Sequence, residues 1–167
     1  SFGHEISVTP IQMISAISAI ANGGTLMVPR ITHAIMKDEQ IEKRFEPKAV
    51  RRVISVQSSR QMVDILKQVV KNGTGEKAAV KGYEIAGKTG TAQKYDPRTR
   101  SYSKTAYVAS FVGFAPADAA KVSILVMIDE PKGVNWGGSV AAPVFSNIAR
   151  ESLRYLNIPS SDQRVYI

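Results

Sequence analysis

Two strand-like runs in the second half of the chain are joined by a connection too short to contain a helix. The first runs from Thr105 to Ala115 and the second from Lys121 to Asp129, with only the letters PADAA between them. Parallel neighbours need a crossover of about a dozen residues or more, whereas antiparallel neighbours need only a hairpin loop. We therefore predict an α+β fold, in which helices pack on the faces of an antiparallel sheet.

Capping signals and apolar spacing predict the helices. The first spans about Thr9 to Ala21: the letters TPIQ form a capping box with proline at the first helical position, and Asn-Gly-Gly ends the helix. A second begins at a Ser58-x-x-Gln61 box and continues with apolar residues at helical spacing. A third, near the carboxyl end, has Pro143 early and one apolar face.

Less regular segments complete the expected topology. Strand-like runs at Arg30–Met36 and Val50–Val56 flank the charged letters KDEQIEKRFEPK, which predicts a ribbon with a polar tip. Residues 94–104, KYDPRTRSYSK, are expected to form a polar loop, and residues 157–167 a loosely held end.

Composition narrows the possible classes of function. The net charge is +8, but the basic residues are scattered without interleaved aromatic residues, so no nucleic-acid partner is expected. No apolar run reaches the roughly 20 residues of a membrane-spanning helix. The chain has no cysteine, and His4 and His33 lack a ligand-like spacing, so neither a metal nor another cofactor is expected.

The letters GYEIAGKTGTAQK, from Gly82 to Lys94, fit two incompatible motifs. Gly82 and Gly87-Lys88-Thr89 match the phosphate-binding pattern G-x-x-x-x-G-K-[ST], and residues 124–130, ILVMIDE, resemble a Walker B strand. A P-loop needs a buried strand before its first glycine and a helix that starts at its Lys-Thr. Here the letters TGEKAAVK before the motif do not predict a buried strand, and a glycine and a proline soon follow it. A P-loop nucleotide hydrolase is therefore kept as an alternative only.

The same letters contain Lys88-Thr89-Gly90, a triad of enzymes that acylate an active-site serine. On an edge strand, Lys88 would place a positive charge beside the reacting centre, and Thr89 and Thr91 would offer hydroxyls to a substrate carboxylate. Gly90 would let a peptide backbone approach, and the N–H of Thr91 would point at the developing oxyanion. The predicted catalytic residues are Lys88 and Thr91, and the predicted substrate-binding residues are Thr89, Gly90, Thr91, Ala92 and Gln93.

The longer string AGKTGTAQ closely resembles the third motif of class B penicillin-binding proteins, the monofunctional peptidoglycan D,D-transpeptidases. Other segments resemble the same family. The letters FGHEISVTPIQMISAISAIANGGTLMVPRI are similar to the family segment that precedes the motif, and VVKNGTGEKA is similar to its lead-in. The letters ASFVGFAP and GGSVAAPVFSNI are similar to the strand and the final helix that follow it. The pattern is most similar to division- and sporulation-type members, although Glu5 stands where the family commonly has glycine. The resemblance implies a serine β-lactamase/transpeptidase-like fold.

Two other motifs of that family bear on what the chain can do alone. The family's nucleophile lies far upstream, in an S-x-x-K at the start of a buried helix, and an S-x-N motif contributes to proton transfer. No S-x-N occurs here, and the one S-x-x-K, Ser101 to Lys104, lies in the expected polar loop and is not expected to be the nucleophile. The resemblance therefore implies that residues 1–158 are the C-terminal portion of a transpeptidase domain, with a tail at 159–167.

The resemblance also implies partners and location. The complete protein would act on a peptidoglycan stem peptide ending in D-Ala-D-Ala, would be acylated by β-lactams, and would work with other cell-wall synthesis proteins. It would lie on the outer face of the bacterial cytoplasmic membrane, anchored by an N-terminal segment outside this chain. The chain alone would be inactive and would pair with the rest of the transpeptidase domain. A non-catalytic binding domain of the same fold remains a second alternative.

Overall fold

The computed structural model of the protein describes residues 6–161. These residues form one main sheet, two short ribbons and helices that pack on the sheet, and no helix among them is long and apolar enough to cross a membrane. The helices are α1 (Pro10–Ala21), α2 (Val56–Asn72), α3 (Gly137–Val140) and α4 (Ala142–Tyr155). The strands are β1 (Thr25–Met27), β2 (Ala34–Lys37), β3 (Gln40–Arg44), β4 (Ala49–Arg52), β5 (Ala86–Asp96), β6 (Ser101–Ala115) and β7 (Val122–Asp129).

The main sheet has the strand order β5-β6-β7, and both neighbouring pairs are antiparallel. The register places Lys88 opposite Val112, and Ala115 opposite Val122. The letters PADAA thus close a hairpin between β6 and β7, as predicted. The α+β fold with an antiparallel sheet is confirmed.

The polar loop predicted at residues 94–104 is wrong, because most of this segment is strand. β5 continues to Asp96, β6 begins at Ser101, and a four-residue turn lies between them. The strands remain paired at this end of the hairpin, where the Tyr95 and Tyr102 rings meet edge to face with centroids 5.8 Å apart. This part of the ribbon is largely exposed, so it carries none of the apolar alternation that marks a half-buried strand.

α1 begins and ends as predicted. Thr9 is its N-cap, and the Gln12 side chain accepts the Thr9 N–H at 2.8 Å while the Thr9 hydroxyl accepts the Gln12 N–H at 3.3 Å. The helix ends at Ala21, directly before the Asn-Gly-Gly letters. Both halves of the capping box are therefore present.

α2 begins earlier than predicted, at Val56. The Ser55 hydroxyl accepts the Ser58 N–H at 3.0 Å and caps the helix, so the predicted box at Ser58-x-x-Gln61 is wrong. The predicted strand Val50–Val56 is wrong at its end for the same reason, since β4 stops before this cap. Several serines near the helix start suit an N-cap, and spacing alone does not choose between them.

Two ribbons replace the single ribbon predicted between α1 and α2. β1 pairs with β4, with Thr25 opposite Arg52, and β2 pairs with β3 around a turn at Asp38 and Glu39. The predicted strand Arg30–Met36 contributes only its last residues to β2. The polar tip is confirmed, and the two long strands are not.

The core lies on both faces of the main sheet. Phe111 and Phe114 of β6 point to opposite faces, because their positions differ by an odd number. Phe111 packs against Phe145 of α4 with ring centroids 4.7 Å apart, whereas Phe114 lies in a cluster with Leu66 of α2 and Ile17 of α1. The predicted C-terminal helix is α4, and the short α3 precedes it.

The end of the described chain is held more firmly than the sequence predicts. The Tyr83 hydroxyl donates to the Ile158 carbonyl at 2.6 Å. Ser161 donates its N–H and its hydroxyl to the Gly82 carbonyl, at 2.8 and 3.0 Å. Ile158 also packs against the core, so the expectation of a loose end is wrong as far as Ser161.

An open apolar groove of about 760 Å³ lies between α1 and the β1–β4 ribbon. Its lining includes Ile11 and Val53, whose exposed fractions are 55% and 39%. Exposed apolar surfaces of this kind mark places where other protein surfaces bind. The groove is therefore a candidate surface for binding another protein surface.

We expect the isolated chain to self-associate through this groove. Light scattering during size-exclusion chromatography should show species larger than a monomer, and the double variant Ile11→Gln/Val53→Gln should reduce them. Ile31→Gln is a matched control, because Ile31 is exposed but lies outside the groove. A monodisperse monomer that melts cooperatively would contradict this expectation.

Candidate active site

The predicted site residues lie side by side on β5, which is an edge strand of the main sheet in the part of the chain that the structure describes. Lys88 to Gln93 run opposite Val112 to Tyr107 of β6. Lys88 is exposed, and the residues from Thr89 to Gln93 are half-buried. The prediction that Lys-Thr-Gly lies on an extended edge strand is confirmed.

A cleft of about 450 Å³ opens beside this strand. The loop after α2, the strand β5 and the start of α3 form it, so three segments far apart in sequence meet there. The groove beside α1 is larger, but its lining is mostly apolar. The hydroxyl and amine side chains that could bind or act on a substrate line the β5 cleft. Its lining includes Thr74, Lys77, Lys88, Thr89, Thr91 and Trp136.

Lys88 and two hydroxyls form a hydrogen-bonded group in the cleft. Lys88 Nζ donates to the Thr89 carbonyl at 2.9 Å and to the Thr89 hydroxyl at 3.1 Å. The Thr89 hydroxyl also lies 2.9 Å from the Thr74 hydroxyl. An ammonium group only donates, so Lys88 fills one acceptor site of Thr89 and brings a positive charge next to it. This group is suited to an anionic ligand.

The hydroxyl of Thr91 is held from the start of α3. The Gly137 N–H donates to Thr91 Oγ1 at 3.1 Å. The backbone of Gly137 and Gly138 lies so close to the carbonyls of Gly90 and Thr74 that a Cβ on either glycine would clash. The Trp-Gly-Gly segment therefore both borders the cleft and leads into a helix.

The remaining predicted residues continue along the same strand. A Cβ on Gly90 would come within 2.5 Å of the Ser110 hydroxyl oxygen, so glycine also makes room for its partner on β6. Ala92 and Gln93 stay paired with β6. Together these residues extend the edge along which a peptide strand could lie.

The P-loop alternative fails on the geometry of the same letters. Lys88 and Thr89 lie inside β5, whereas a P-loop lysine opens a helix. The acidic end of the Walker B-like run binds a lysine: Lys94 Nζ is 3.0 Å from Asp129 Oδ1 and 2.7 Å from Glu130 Oε1. These two side chains therefore clamp β5 to the end of β7.

The same ion pairs affect the titration of Lys94. Its hydrogen bond to Glu130, followed by that to Asp129, raises the pKa of Lys94 above its ordinary value of 10.5. Because the folded-state pKa is the higher one, the stabilisation is fully present below pH 10.5 and is lost as the pH rises through the raised pKa. The clamp therefore persists throughout the neutral range.

Ser101 is not placed as a nucleophile. It is exposed at the start of β6, and its hydroxyl lies 2.9 Å from that of Thr99 in the hairpin turn. An S-x-x-K nucleophile would stand at the start of a buried helix, and Ser101 stands on a strand. Among residues 6–161, no group of three or more His, Cys, Asp or Glu side chains could hold a metal ion.

Thr74 is a cleft residue for which the sequence carries only a weak signal. It is one letter of NGTG, which by itself predicts the end of a helix. Thr74 precedes Thr89 by 15 residues, and the fold brings the two hydroxyls together where the end of α2 packs on β5. The one local signal is that a threonine stands between two glycines. The glycines are enough to end the helix, so the threonine hydroxyl is not needed for that purpose.

The chain has clear relatives among known proteins. The family described as "Penicillin binding protein transpeptidase domain" matches residues 1–150. The chain is 44% identical over 161 residues to stage V sporulation protein D of Bacillus subtilis, and 37% identical over 160 residues to peptidoglycan D,D-transpeptidase FtsI of Escherichia coli K12. Each alignment covers 95% of this chain and 25% of the relative, so the chain spans about a quarter of these proteins.

A solved structure shows the same similarity in three dimensions. Penicillin-binding protein 3 from Mycobacterium tuberculosis, in complex with aztreonam, superposes with a TM-score of 0.81 at 36% identity. The superposition covers 95% of this chain and 37% of that chain. The fold of the described residues therefore occurs within a solved penicillin-binding protein.

Proposed function

The chain belongs to the penicillin-binding protein transpeptidase family, and we propose that it forms one side of the active site in a serine-type D,D-transpeptidase that cross-links peptidoglycan. The observation that carries this proposal is the Lys88–Thr91 segment, which brings one cation and two hydroxyls from an edge strand to a single cleft. Lys-Thr-Gly is a recurring motif of β-lactamases and penicillin-binding proteins, which acylate a serine.

In this proposal, Lys88, Thr89 and Thr91 of β5 make the main contacts with the ligand. The positive charge of Lys88 stabilises negative charge that develops near the reacting carbonyl, and the N–H of Thr91 contributes to the oxyanion hole. The hydroxyls of Thr89 and Thr91 donate to the carboxylate of the ligand, because each already accepts a hydrogen bond, from Lys88 and from the start of α3. Further contacts to an extended stem peptide come from Gly90, Ala92 and Gln93.

The covalent chemistry needs a serine from the rest of the domain. Its oxygen bonds to the carbonyl carbon between the two D-alanines, the C–N bond breaks, and the terminal D-alanine leaves with the serine proton on its amine. An amine of a neighbouring stem peptide then attacks the ester, loses a proton and restores the serine hydroxyl. A β-lactam gives the same kind of ester when its ring C–N bond opens and its nitrogen takes the proton.

The relatives support a role of the complete protein in cell-wall synthesis. The names of the two sequence relatives refer to sporulation and to peptidoglycan transpeptidation, and the structural relative holds a β-lactam. We infer that the complete protein acts on the outer face of the cytoplasmic membrane, is anchored by a segment outside this chain, and works with other cell-wall synthesis proteins.

Covalent labelling with fluorescent penicillin tests the proposed function. The complete protein, expressed with its upstream sequence, should keep the label through denaturing electrophoresis. Replacing the serine of the upstream S-x-x-K by alanine should abolish labelling. A complete protein without that motif, or one that stays unlabelled, would instead indicate a non-catalytic binding domain of the same fold.

A further inference from the structure

Thr74 lies outside the Lys-Thr-Gly strand, yet its hydroxyl is 2.9 Å from the hydroxyl of Thr89. We propose that Thr74 is a positioning residue, which directs the proton of the Thr89 hydroxyl toward the carboxylate of the bound ligand. This role presupposes the proposed function, since it concerns the ligand of the same cleft.

The direction of the Thr74–Thr89 hydrogen bond follows from counting donors and acceptors. A threonine hydroxyl has one proton and two lone pairs. Lys88 occupies one lone pair of Thr89, with Nζ 3.1 Å from Oγ1. When Thr74 donates, it fills the second lone pair and the Thr89 proton is free for a ligand. When Thr74 accepts, it consumes that proton and leaves a lone pair facing the ligand.

A carboxylate selects the first arrangement. It accepts hydrogen bonds and donates none, so it binds Thr89 only when the Thr89 proton is free. The ammonium of Lys88 polarises the same hydroxyl, which strengthens the bond that Thr89 then donates. The Thr74 hydroxyl therefore affects how tightly a carboxylate-bearing ligand binds. It is not expected to act on the carbonyl group that reacts.

The backbone around Thr74 fixes its position. The Gly75 N–H donates to the Val69 carbonyl at 3.0 Å, which holds the loop against the last turns of α2. On the other side, the Gly138 backbone packs so closely on the Thr74 carbonyl that a Cβ on Gly138 would clash. Thr74 is thus held between α2 and α3, although the residue itself is exposed to the cleft.

Thr74→Val in the complete transpeptidase domain tests this role, because valine keeps the shape and removes the hydroxyl. Acylation by benzylpenicillin is resolved into the dissociation constant of the non-covalent complex and the rate constant of acylation. We expect the dissociation constant to rise about tenfold, as for the loss of one hydrogen bond, with little change in the rate constant. Thr74→Ser should restore most of the affinity. For an analogue of benzylpenicillin in which hydrogen replaces the carboxyl group, Thr74→Val should change neither constant, because the Thr89 proton then has no acceptor at that position.

Thr99→Val is the matched control. Thr99 also makes a 2.9 Å contact between hydroxyls, but it lies in the hairpin turn outside the cleft, so both constants should stay unchanged. If valine disturbs folding, Thr74→Ala and Thr74→Ser give the same comparison.

Three results would overturn the role of Thr74. An unchanged dissociation constant in Thr74→Val would refute the role of Thr74 and would leave the proposed function standing. An equal loss of affinity for benzylpenicillin and for its analogue without the carboxyl group would reduce Thr74 to a structural residue. A wild-type domain that does not react with penicillin at all would refute the proposed function, and this role with it.

Discussion

Replacing Lys88 by alanine in the complete transpeptidase domain should slow acylation by penicillin about 10²- to 10³-fold, the size of effect seen when one preorganised donor is removed from a site of this kind. The substitution removes the positive charge of the cleft segment of β5 and also the donor that lies 3.1 Å from the Thr89 hydroxyl. The second loss leaves an unfilled lone pair facing the ligand carboxylate. The measurement is the rate of covalent labelling at several penicillin concentrations.

The effect of Lys88 should be specific to its position. Lys104→Ala is a suitable control, because Lys104 is an exposed lysine on the neighbouring strand β6 and lies outside the cleft. Its labelling rate should match that of the wild type. Lys88→Arg keeps the charge but changes the shape of the donor group, so it should fall between the wild type and Lys88→Ala. Unchanged labelling of Lys88→Ala would refute the role given to this residue.

Phe145→Ala should destabilise the complete domain by about 3–5 kcal/mol, as expected for truncation of a fully buried aromatic side chain. Phe145 has no exposed surface, and its ring packs on Phe111, which lies directly opposite Thr89 in the β5–β6 register. The cavity would therefore form against β6, the neighbour of the strand that carries the site. Urea unfolding, analysed for the free energy in water, measures the change.

Tyr155→Ala on the same helix provides the comparison for Phe145. Tyr155 is also aromatic, but 85% of its surface is exposed. Its truncation should change the free energy of unfolding by less than about 0.5 kcal/mol. Similar destabilisation by both substitutions would mean that burial on the inner face of α4 does not govern the stability of the fold.

Features set by neighbours in the sequence were predictable. The hairpin between β6 and β7 follows from the short connection, and the start of α1 follows from the box formed by Thr9 and Gln12. The extended course of Lys88 to Gln93 follows from a glycine and small residues that a helix start would not contain. In each case the determining residues lie within a few positions of one another.

Features set by contacts between distant segments were not predictable. The outer part of the β5–β6 hairpin is polar and exposed, and its strands are defined by pairing such as that of Tyr95 with Tyr102. The closeness of Thr74 to Thr89 depends on how α2 packs on β5. At the start of α2, each of several nearby serines could cap the helix as far as the local sequence shows. The hydrogen bond from the Ser58 N–H to the Ser55 hydroxyl identifies Ser55 as the cap.

The tight contact between the Gly137–Gly138 backbone and the cleft also limits which sequence changes the cleft can tolerate. Any side chain at either glycine would meet a backbone carbonyl and displace the segment that holds Thr91. Sequence changes that alter the cleft and leave this segment in place are therefore expected at other residues of its lining. Trp136 is 66% exposed and lines the cleft, so its side chain can change without a clash in the core. If the proposed function holds, we expect variants of the complete protein with weaker β-lactam binding to change the entrance of the cleft and to keep both glycines.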